Sequence, residues 1–136
     1  MTEEAGVSDR YPTASPWPMF VALGFALVEL GLFLGIFPVS VGGVLLFGGS
    51  VAGILTESEY VAHLWKTMAG LGVAFGLLGV AMVVFGDGLA VGPALEAIDA
   101  PNVVGNRLTS RGLAIGAAGV ILVATSVTGE LMEPAR

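Results

Sequence analysis

Residues 17–56 form an almost unbroken apolar stretch, in which Glu29 is the only charged side chain. At a rise of 1.5 Å per residue, one helix of this length would measure roughly 60 Å, about twice the hydrocarbon thickness of a bilayer. The stretch therefore has to fold back on itself. Because Pro38 lacks a backbone N–H and disfavours helical geometry at Phe37, we place the turn around residues 37–40 and predict a transmembrane helical hairpin.

The rest of the chain has the composition of an integral membrane protein. Hydrophobic residues make up 55% of its 136 residues and charged residues only 12%, and the mean hydropathy is +0.90. Apolar spans of about the length that a spanning helix needs cover residues 17–37, 39–56, 65–85 and 108–128. They predict an all-α membrane protein, a bundle of four transmembrane helices in two hairpins. An extended N-terminal tail (1–16) and a C-terminal tail (129–136) flank this bundle.

The N-terminal tail ends in the proline-rich run Tyr11-Pro12-Thr13-Ala14-Ser15-Pro16-Trp17-Pro18. Its prolines favour an extended, polyproline-like path up to the membrane. Two interpretations stay open, because aromatic rings concentrate at the membrane interface whether or not they bind a partner. In one, the tail packs on a partner protein through Tyr11, Pro12, Pro16, Trp17 and Pro18. In the other, it is a disordered tail with one interfacial tryptophan.

The ends of the spans suggest how the chain sits in a membrane. Its start is acidic, unlike that of a cleaved signal peptide, so we expect the first helix to be retained as an anchor. Three basic residues on the side of the termini against two on the other side favour cytoplasmic termini in a multi-pass protein of the cell membrane.

Few residues in the chain carry chemistry. Cysteine is absent, which excludes disulfides and thiolate metal sites. His63 is the one histidine, and haem, zinc or copper would need more ligands than that. Since no phosphate-binding loop, nucleophile elbow or catalytic triad can be drawn, we expect no catalytic residue and no metal or cofactor of the chain's own. Eleven acidic residues against five basic ones argue against the binding of nucleic acid or of anionic lipid by this chain alone.

Glu29 is the acidic residue inside a span, roughly 18 Å along the helix from Trp17. A lone carboxylate at that depth is costly, so we expect it to be protonated or paired, and Arg111 is the cation at a compatible depth. The alternative is a proton-relay or ion-coupling carboxylate. A relay needs further titratable groups along the membrane normal, so the structural interpretation is favoured.

Two further patterns concern packing. Each span contains two glycines four residues apart, namely Gly31/Gly35, Gly49/Gly53, Gly72/Gly76 and Gly112/Gly116. In lipid such pairs let helix backbones approach closely, so together they predict tight helix contacts. In the connection before the last span, residues 92–99 with Pro93 near their start predict a short helix on the membrane surface.

Three runs of the sequence resemble a known family. They are Ser8-Asp9-Arg10-Tyr11-Pro12-Thr13-Ala14-Ser15-Pro16-Trp17-Pro18, Phe37-Pro38-Val39-Ser40-Val41-Gly42-Gly43 and Arg111-Gly112-Leu113-Ala114-Ile115-Gly116. They look like the cox cluster proteins, small membrane proteins of halophilic archaea that are encoded beside the subunits of a haem-copper terminal oxidase. The resemblance covers most of residues 8–75 and the last span. It implies association with that oxidase and transfers no active-site residue.

The resemblance favours an accessory, non-catalytic transmembrane subunit of a haem-copper terminal oxidase, of the cytochrome c or quinol type, in an aerobic respiratory chain. Its partners would be the lipid bilayer and the other oxidase subunits, which hold the haem and copper. Two alternatives stay open. One is a stand-alone transporter or ion-conducting oligomer that uses Glu29, and the other is an assembly factor that binds the oxidase transiently.

Overall fold

The computed structural model describes residues 15–58, 63–103 and 107–132. These residues contain five helices, α1 (Trp17–Leu34), α2 (Phe37–Glu57), α3 (Leu64–Phe85), α4 (Val91–Asp99) and α5 (Arg107–Met132). All but α4 are long and apolar enough to cross a membrane. The predicted all-α fold with four spanning helices is confirmed, and the chain is a multi-pass membrane protein.

The turn between α1 and α2 lies earlier than predicted. Gly35 caps the end of α1 with a φ of 78°, a left-handed conformation that glycine adopts without steric cost. The backbone N–H of Ile36 donates to the carbonyl of Gly31 at 2.8 Å, which closes the cap. The predicted turn at Phe37 and Pro38 is wrong. Pro38 belongs to the first turn of α2, where the helix needs no donor from it.

Two more boundaries differ from the predicted spans. Pro16 has helical dihedral angles (φ −78°, ψ −14°) and Pro18 lies inside α1, so the predicted extended path does not include these two prolines. A proline in the first helical turn is compatible with a helix because its missing N–H would have had no partner there. At the other end, α5 continues to Met132 instead of stopping at residue 128. Hydropathy shows where the apolar span ends, but it does not show where the helix that contains the span ends.

The helices α1 and α2 form the first hairpin, and small residues line the seam between them. A Cβ atom added at Gly24 would lie 2.8 Å from the carbonyl oxygen of Gly43, and one added at Gly31 would lie 2.5 Å from the backbone nitrogen of Ser40. The two glycines of α1 are seven residues apart, which is about two helical turns, so they face the same neighbour. The Ser40 hydroxyl donates to the carbonyl of Val28 at 2.9 Å and fixes this contact.

The helices α3 and α5 form the second hairpin, which has the most extensive helix contact of the bundle. Its seam has the same character. A Cβ atom added at Gly72 would lie 2.6 Å from the carbonyl oxygen of Gly119, and one added at Gly79 would lie 2.5 Å from that of Gly112. The glycines of each helix are again seven residues apart. The backbones touch because no side chain stands between them.

In the second hairpin, two of the predicted glycine pairs take part in the seam. A Cβ atom added at Gly119 would lie 2.5 Å from the carbonyl oxygen of Gly72 and 2.7 Å from the nitrogen of Gly76, and one added at Gly79 would lie 2.5 Å from the nitrogen of Gly116. A Cβ atom added at Gly49 or Gly76 would meet nothing within 4 Å, and one added at Gly116 would meet only the Cα of Gly79, at 3.8 Å. The second glycine of these pairs therefore contributes its backbone to the seam, while the positions at which a Cβ atom would clash recur every seven residues, because a straight helix presents nearly the same face every two turns.

The two hairpins repeat one pattern. Their seam residues recur at equal spacings, as Trp17, Gly24, Gly31, Gly43 and Gly53 in the first hairpin and as Trp65, Gly72, Gly79, Gly119 and Gly129 in the second. In addition, segments 43–55 and 119–131 share seven of thirteen residues. The chain therefore contains two copies of one seam pattern, and the second hairpin carries a longer connection.

Each hairpin also ends in a tryptophan seated on a glycine. A Cβ atom added at Gly53 would lie 2.7 Å from the Trp17 ring, and one added at Gly129 would lie 2.6 Å from the Trp65 ring. Each ring belongs to the first helix of its hairpin and covers the end of the second helix. Any larger residue at either glycine would displace the ring, so the hairpin ends depend on these two glycines.

The longer connection of the second hairpin contains α4, the short helix that the sequence predicted. It packs on the start of α5 through Ala97, which is fully buried. The Ser110 hydroxyl donates to the carbonyl of Ala97 at 2.8 Å. Leu95 and Ile98 of α4 are exposed. The connection is thus attached to the bundle beside the residues that open α5.

Candidate functional site

Glu29 and Arg111 form an ion pair between α1 and α5, in which the Nη2 group of Arg111 donates to the Oε1 atom of Glu29. Glu29 lies five residues before the end of α1 and Arg111 four residues after the start of α5. Both are therefore about 6 to 8 Å along their helices from the same end of the bundle. The sequence predicts that Glu29 is either protonated or paired, and in the structure it is paired with Arg111.

The ion pair lies in a lateral cleft of about 690 Å³ between α1 and α5. Leu30 and Phe33 of α1 line one wall, and Pro101 of the connection lines the end. Outside this pair the two helices contact each other little. Glu29 and Arg111 keep 43% and 34% of their side-chain surface exposed, so both groups can be reached from the cleft.

A second cavity of about 210 Å³ adjoins the cleft, and Glu29 and Arg111 line both. Its other lining residues come from all four spanning helices and are apolar, namely Phe25, Val28, Val44, Phe47, Phe75, Leu78 and Ile115. Within it, the ring centroids of Phe47 and Phe75 lie 6.5 Å apart. The ion pair thus lies between a cleft with several polar groups in its lining and an apolar pocket between the helices.

The cleft carries more positive than negative charge. Arg107, at the first position of α5, adds a second guanidinium group to the lining, while Glu29 is the one carboxylate there. Within the described residues, no carboxylate forms an ion pair with Arg107. Asn102 adds an amide beside the end of α1, since a Cβ atom added at Gly35 would lie 3.0 Å from its Oδ1 atom. This positive excess stands out in a chain whose formal net charge is −6.

The residues Thr109 and Ser110 position Arg111, and the sequence interpretation missed them. The Thr109 hydroxyl donates to the Asp87 carboxylate at 2.8 Å, and the Ser110 hydroxyl donates to the carbonyl of Ala97 at the same distance. Both hydroxyls are almost fully buried. The available signal was a pair of hydroxyl residues directly before the arginine that enters the span.

The predicted partner-binding tail lies away from the cleft. Trp17 and Pro18 belong to the start of α1 and Pro16 precedes it, at the end of the bundle opposite to the ion pair. The Trp17 ring packs on α2 of the same chain, so part of its surface is already used internally. Tyr11 and Pro12 lie outside the described residues.

His63 is exposed directly before α3, and its carbonyl accepts a hydrogen bond from the Thr67 hydroxyl at 2.8 Å. Among the described residues, no three or more His, Cys, Asp or Glu side chains are placed to hold a metal ion. The cleft is the place where charged side chains from different spanning helices meet beside a cavity. We therefore take it as the candidate functional site.

A family model matches residues 1–132 of the chain. The chain belongs to DUF7541, a family of unknown function. No curated protein and no solved structure matches it. Membership of the family assigns no activity to the cleft, so its function has to be argued from the geometry.

Proposed function

We propose that this chain is an accessory, non-catalytic transmembrane subunit of a haem-copper terminal oxidase, of the cytochrome c or quinol type, in an aerobic respiratory chain. Its role is to stabilise the catalytic subunits, which hold the haem and copper, in the cell membrane. The resemblance of residues 8–18, 37–43 and 111–116 to cox cluster proteins supports this partner. The geometry of the bundle supports the non-catalytic role.

The observation that carries the proposal is that three polar contacts join neighbouring helices of the bundle. Glu29 is paired with Arg111, and the hydroxyls of Ser40 and Ser110 donate to backbone carbonyls of neighbouring helices. A proton or ion pathway needs a series of titratable or hydrated groups along the membrane normal. These groups instead join one helix to the next, as a scaffold requires.

The internal repeat is compatible with this role. Repeats also occur in transporters, where substrates bind near the bilayer midplane at interrupted helices with unwound backbone. Here each of the four spanning helices is continuous over at least 18 residues. Within each hairpin, the two helices pack along a glycine seam without such an interruption. This continuity favours a rigid scaffold over a transporter with alternating access.

Purification of the native complex tests the proposal. A tag on this chain, followed by extraction in mild detergent, should recover the oxidase subunits in equal amounts together with haem absorbance from the partners. A variant without residues 1–15 should be retained less well if the tail packs on a partner. Recovery of the chain without any haem protein contradicts the proposal, and recovery in amounts far below one per complex favours an assembly factor.

A stand-alone transporter or ion-conducting oligomer is the second candidate, and one observation favours it. The Glu29 side chain is 43% exposed in the cleft, so its carboxylate is accessible for the exchange of a proton or an ion. That role requires the isolated chain in liposomes to conduct protons or ions, and requires Glu29→Gln to abolish the flux. An accessory subunit gives no flux above protein-free liposomes. Its Glu29→Gln variant should still assemble, because Gln keeps the size and hydrogen-bonding capacity of the side chain.

A further inference from the structure

We infer that the cleft between α1 and α5 binds the headgroup of an anionic phospholipid and that the adjoining apolar pocket receives part of its acyl chain. This inference does not depend on the oxidase partner, since it concerns the chain's own contact with lipid. It names an occupant for the two cavities that meet at Glu29 and Arg111.

Charge complementarity supports an anionic ligand. Arg107 and Arg111 are four residues apart on α5, so their side chains lie on one face of the helix. Glu29 compensates one of the two guanidinium groups, and the cleft lining keeps an excess of one positive charge. A phosphodiester carries one negative charge, and guanidinium groups bind phosphate oxygens with paired hydrogen bonds.

The depth of the two arginines fits a headgroup above an acyl chain. Arg107 is the first residue of α5, at the end of the span where headgroups lie. Arg111 is one turn deeper, and its guanidinium is held by Glu29. Asn102 completes the rim of the cleft with an amide that can donate to phosphate or headgroup oxygens. Arg107 and Asn102 are both exposed and are the groups that a phosphate reaches first.

The shape of the two cavities favours a lipid over a soluble anion. The cleft of about 690 Å³ and the apolar pocket of about 210 Å³ share Glu29 and Arg111 in their linings. Leu30 and Phe33, which line the cleft, are exposed on the outer face of α1, so an acyl chain can enter from the side. A free phosphate would leave the apolar pocket unused, whereas an amphiphile occupies both.

Lipid binding to the purified full-length chain tests the inference. Native mass spectrometry of the chain in detergent, titrated with dioleoyl phosphatidylglycerol or dioleoyl phosphatidylcholine, compares an anionic and a zwitterionic headgroup on identical acyl chains. We expect tighter binding of the phosphatidylglycerol. Arg107→Gln should weaken that binding about fivefold, the effect of one basic residue near a lipid headgroup. Glu29→Gln should act in the opposite direction and strengthen it, because it removes the negative charge of the cleft.

Two controls separate this site from general charge effects. Lys66→Gln removes the described cation at the opposite end of the bundle and should leave the lipid preference unchanged. Arg107→Lys keeps the charge but loses the paired hydrogen bonds of the guanidinium, so its preference for phosphatidylglycerol should lie between those of the original chain and Arg107→Gln. Equal binding of both lipids, a preference that survives Arg107→Gln, or an equal loss in Lys66→Gln would overturn the inference. If glycerol 1-phosphate displaced phosphatidylglycerol at the same concentration as the lipid, the proposed contribution of the acyl chain to binding would be wrong.

Discussion

The two hairpins have the same seam but different connections. In the first, Gly35 and Ile36 alone join the helices, whereas in the second the chain from residue 86 to residue 106 lies between α3 and α5 and contains α4. That longer connection supplies Asn102 to the cleft and is attached to the start of α5, where Arg107 lies. The repeated helices thus form the packing scaffold and the walls of the cleft, and the unrepeated connection adds Pro101 and Asn102 to its lining.

The ion pair between Glu29 and Arg111 is also absent from the repeated pattern. By the spacing of the repeat, Glu29 of α1 corresponds to Leu77 of α3, and Arg111 of α5 corresponds to Gly35. Each hairpin therefore contributes one charge, and neither charge has a charged counterpart in the other copy. The pair joins the hairpins at a crossing where α1 and α5 otherwise contact each other little. The ion pair is therefore not part of the pattern that the two hairpins share.

The strongest expected effect breaks the seam of the second hairpin. Gly72→Val places a Cβ atom 2.6 Å from the carbonyl oxygen of Gly119, so α3 and α5 must separate, and we expect a loss of about 3 kcal/mol in the free energy of unfolding. Gly76→Val, one turn along α3, meets nothing within 4 Å and serves as the control. Unfolding in mixed micelles by SDS measures both variants. Equal stabilities would contradict the seam.

Removal of each tryptophan in turn tests whether the two hairpins are equivalent in stability. Trp17→Ala and Trp65→Ala each uncover a glycine at the end of a helix. We expect each variant to lose about 2 kcal/mol, less than a fully buried tryptophan would, because both rings are partly exposed. The chain has two tryptophans, so the fluorescence of the remaining ring follows unfolding in each variant. A large loss in one variant and none in the other would show that the copies are not equivalent.

A smaller effect concerns the unrepeated connection. Ser110→Ala removes the hydrogen bond to the carbonyl of Ala97, which we expect to contribute about 1 kcal/mol. Hydrogen exchange should then become faster in α4 (Val91–Asp99), while the glycine seams keep their protection. Thr128→Ala is the matched control in the same helix, because its exposed hydroxyl bonds only to the carbonyl of Ala124 one turn before it. Unchanged exchange in α4 would show that Ser110 does not hold the connection.

The smallest effect compares two equivalent serines, Ser50 in α2 and Ser126 in α5. The Ser126 hydroxyl donates to the carbonyl of Val123 at 2.7 Å, whereas the buried Ser50 hydroxyl has no hydrogen-bond partner among the described residues. We expect Ser126→Ala to lose about 0.5 kcal/mol and Ser50→Ala to gain about that amount, because it removes an unpaired polar group. The same SDS unfolding assay decides this. A greater loss in Ser50→Ala than in Ser126→Ala contradicts the assignment.

The spanning helices and the pairing of Glu29 with Arg111 could be predicted, because hydropathy and depth along a helix can be read from the sequence. The first turn was misplaced for a physical reason. A proline ends one helix as readily as it begins the next, and only the left-handed backbone of Gly35 decides between the two.

The close contacts in the glycine seams and the position of the cleft could not be predicted from the sequence. With 21 glycines in the chain, pairs at a spacing of four occur by chance, and only the close approach of the backbones shows that Gly72 and Gly79 are the positions of α3 where a side chain would clash with α5. The cleft depends on where the connection after α4 places Asn102 relative to Arg107 and the outer face of α1. No local pattern encodes that placement.

The claim that Glu29 and Arg111 hold the two hairpins together is tested most directly by a double-mutant cycle. Glu29→Gln, Arg111→Gln and the double variant are unfolded with SDS in mixed micelles, and the coupling free energy is calculated from the four stabilities. We predict a favourable coupling of about 1 kcal/mol, typical of polar side-chain pairs within a membrane bundle. In that case the double variant is more stable than the sum of the single losses implies. A coupling of zero within error would contradict the account, because the two charges would then stabilise the bundle independently.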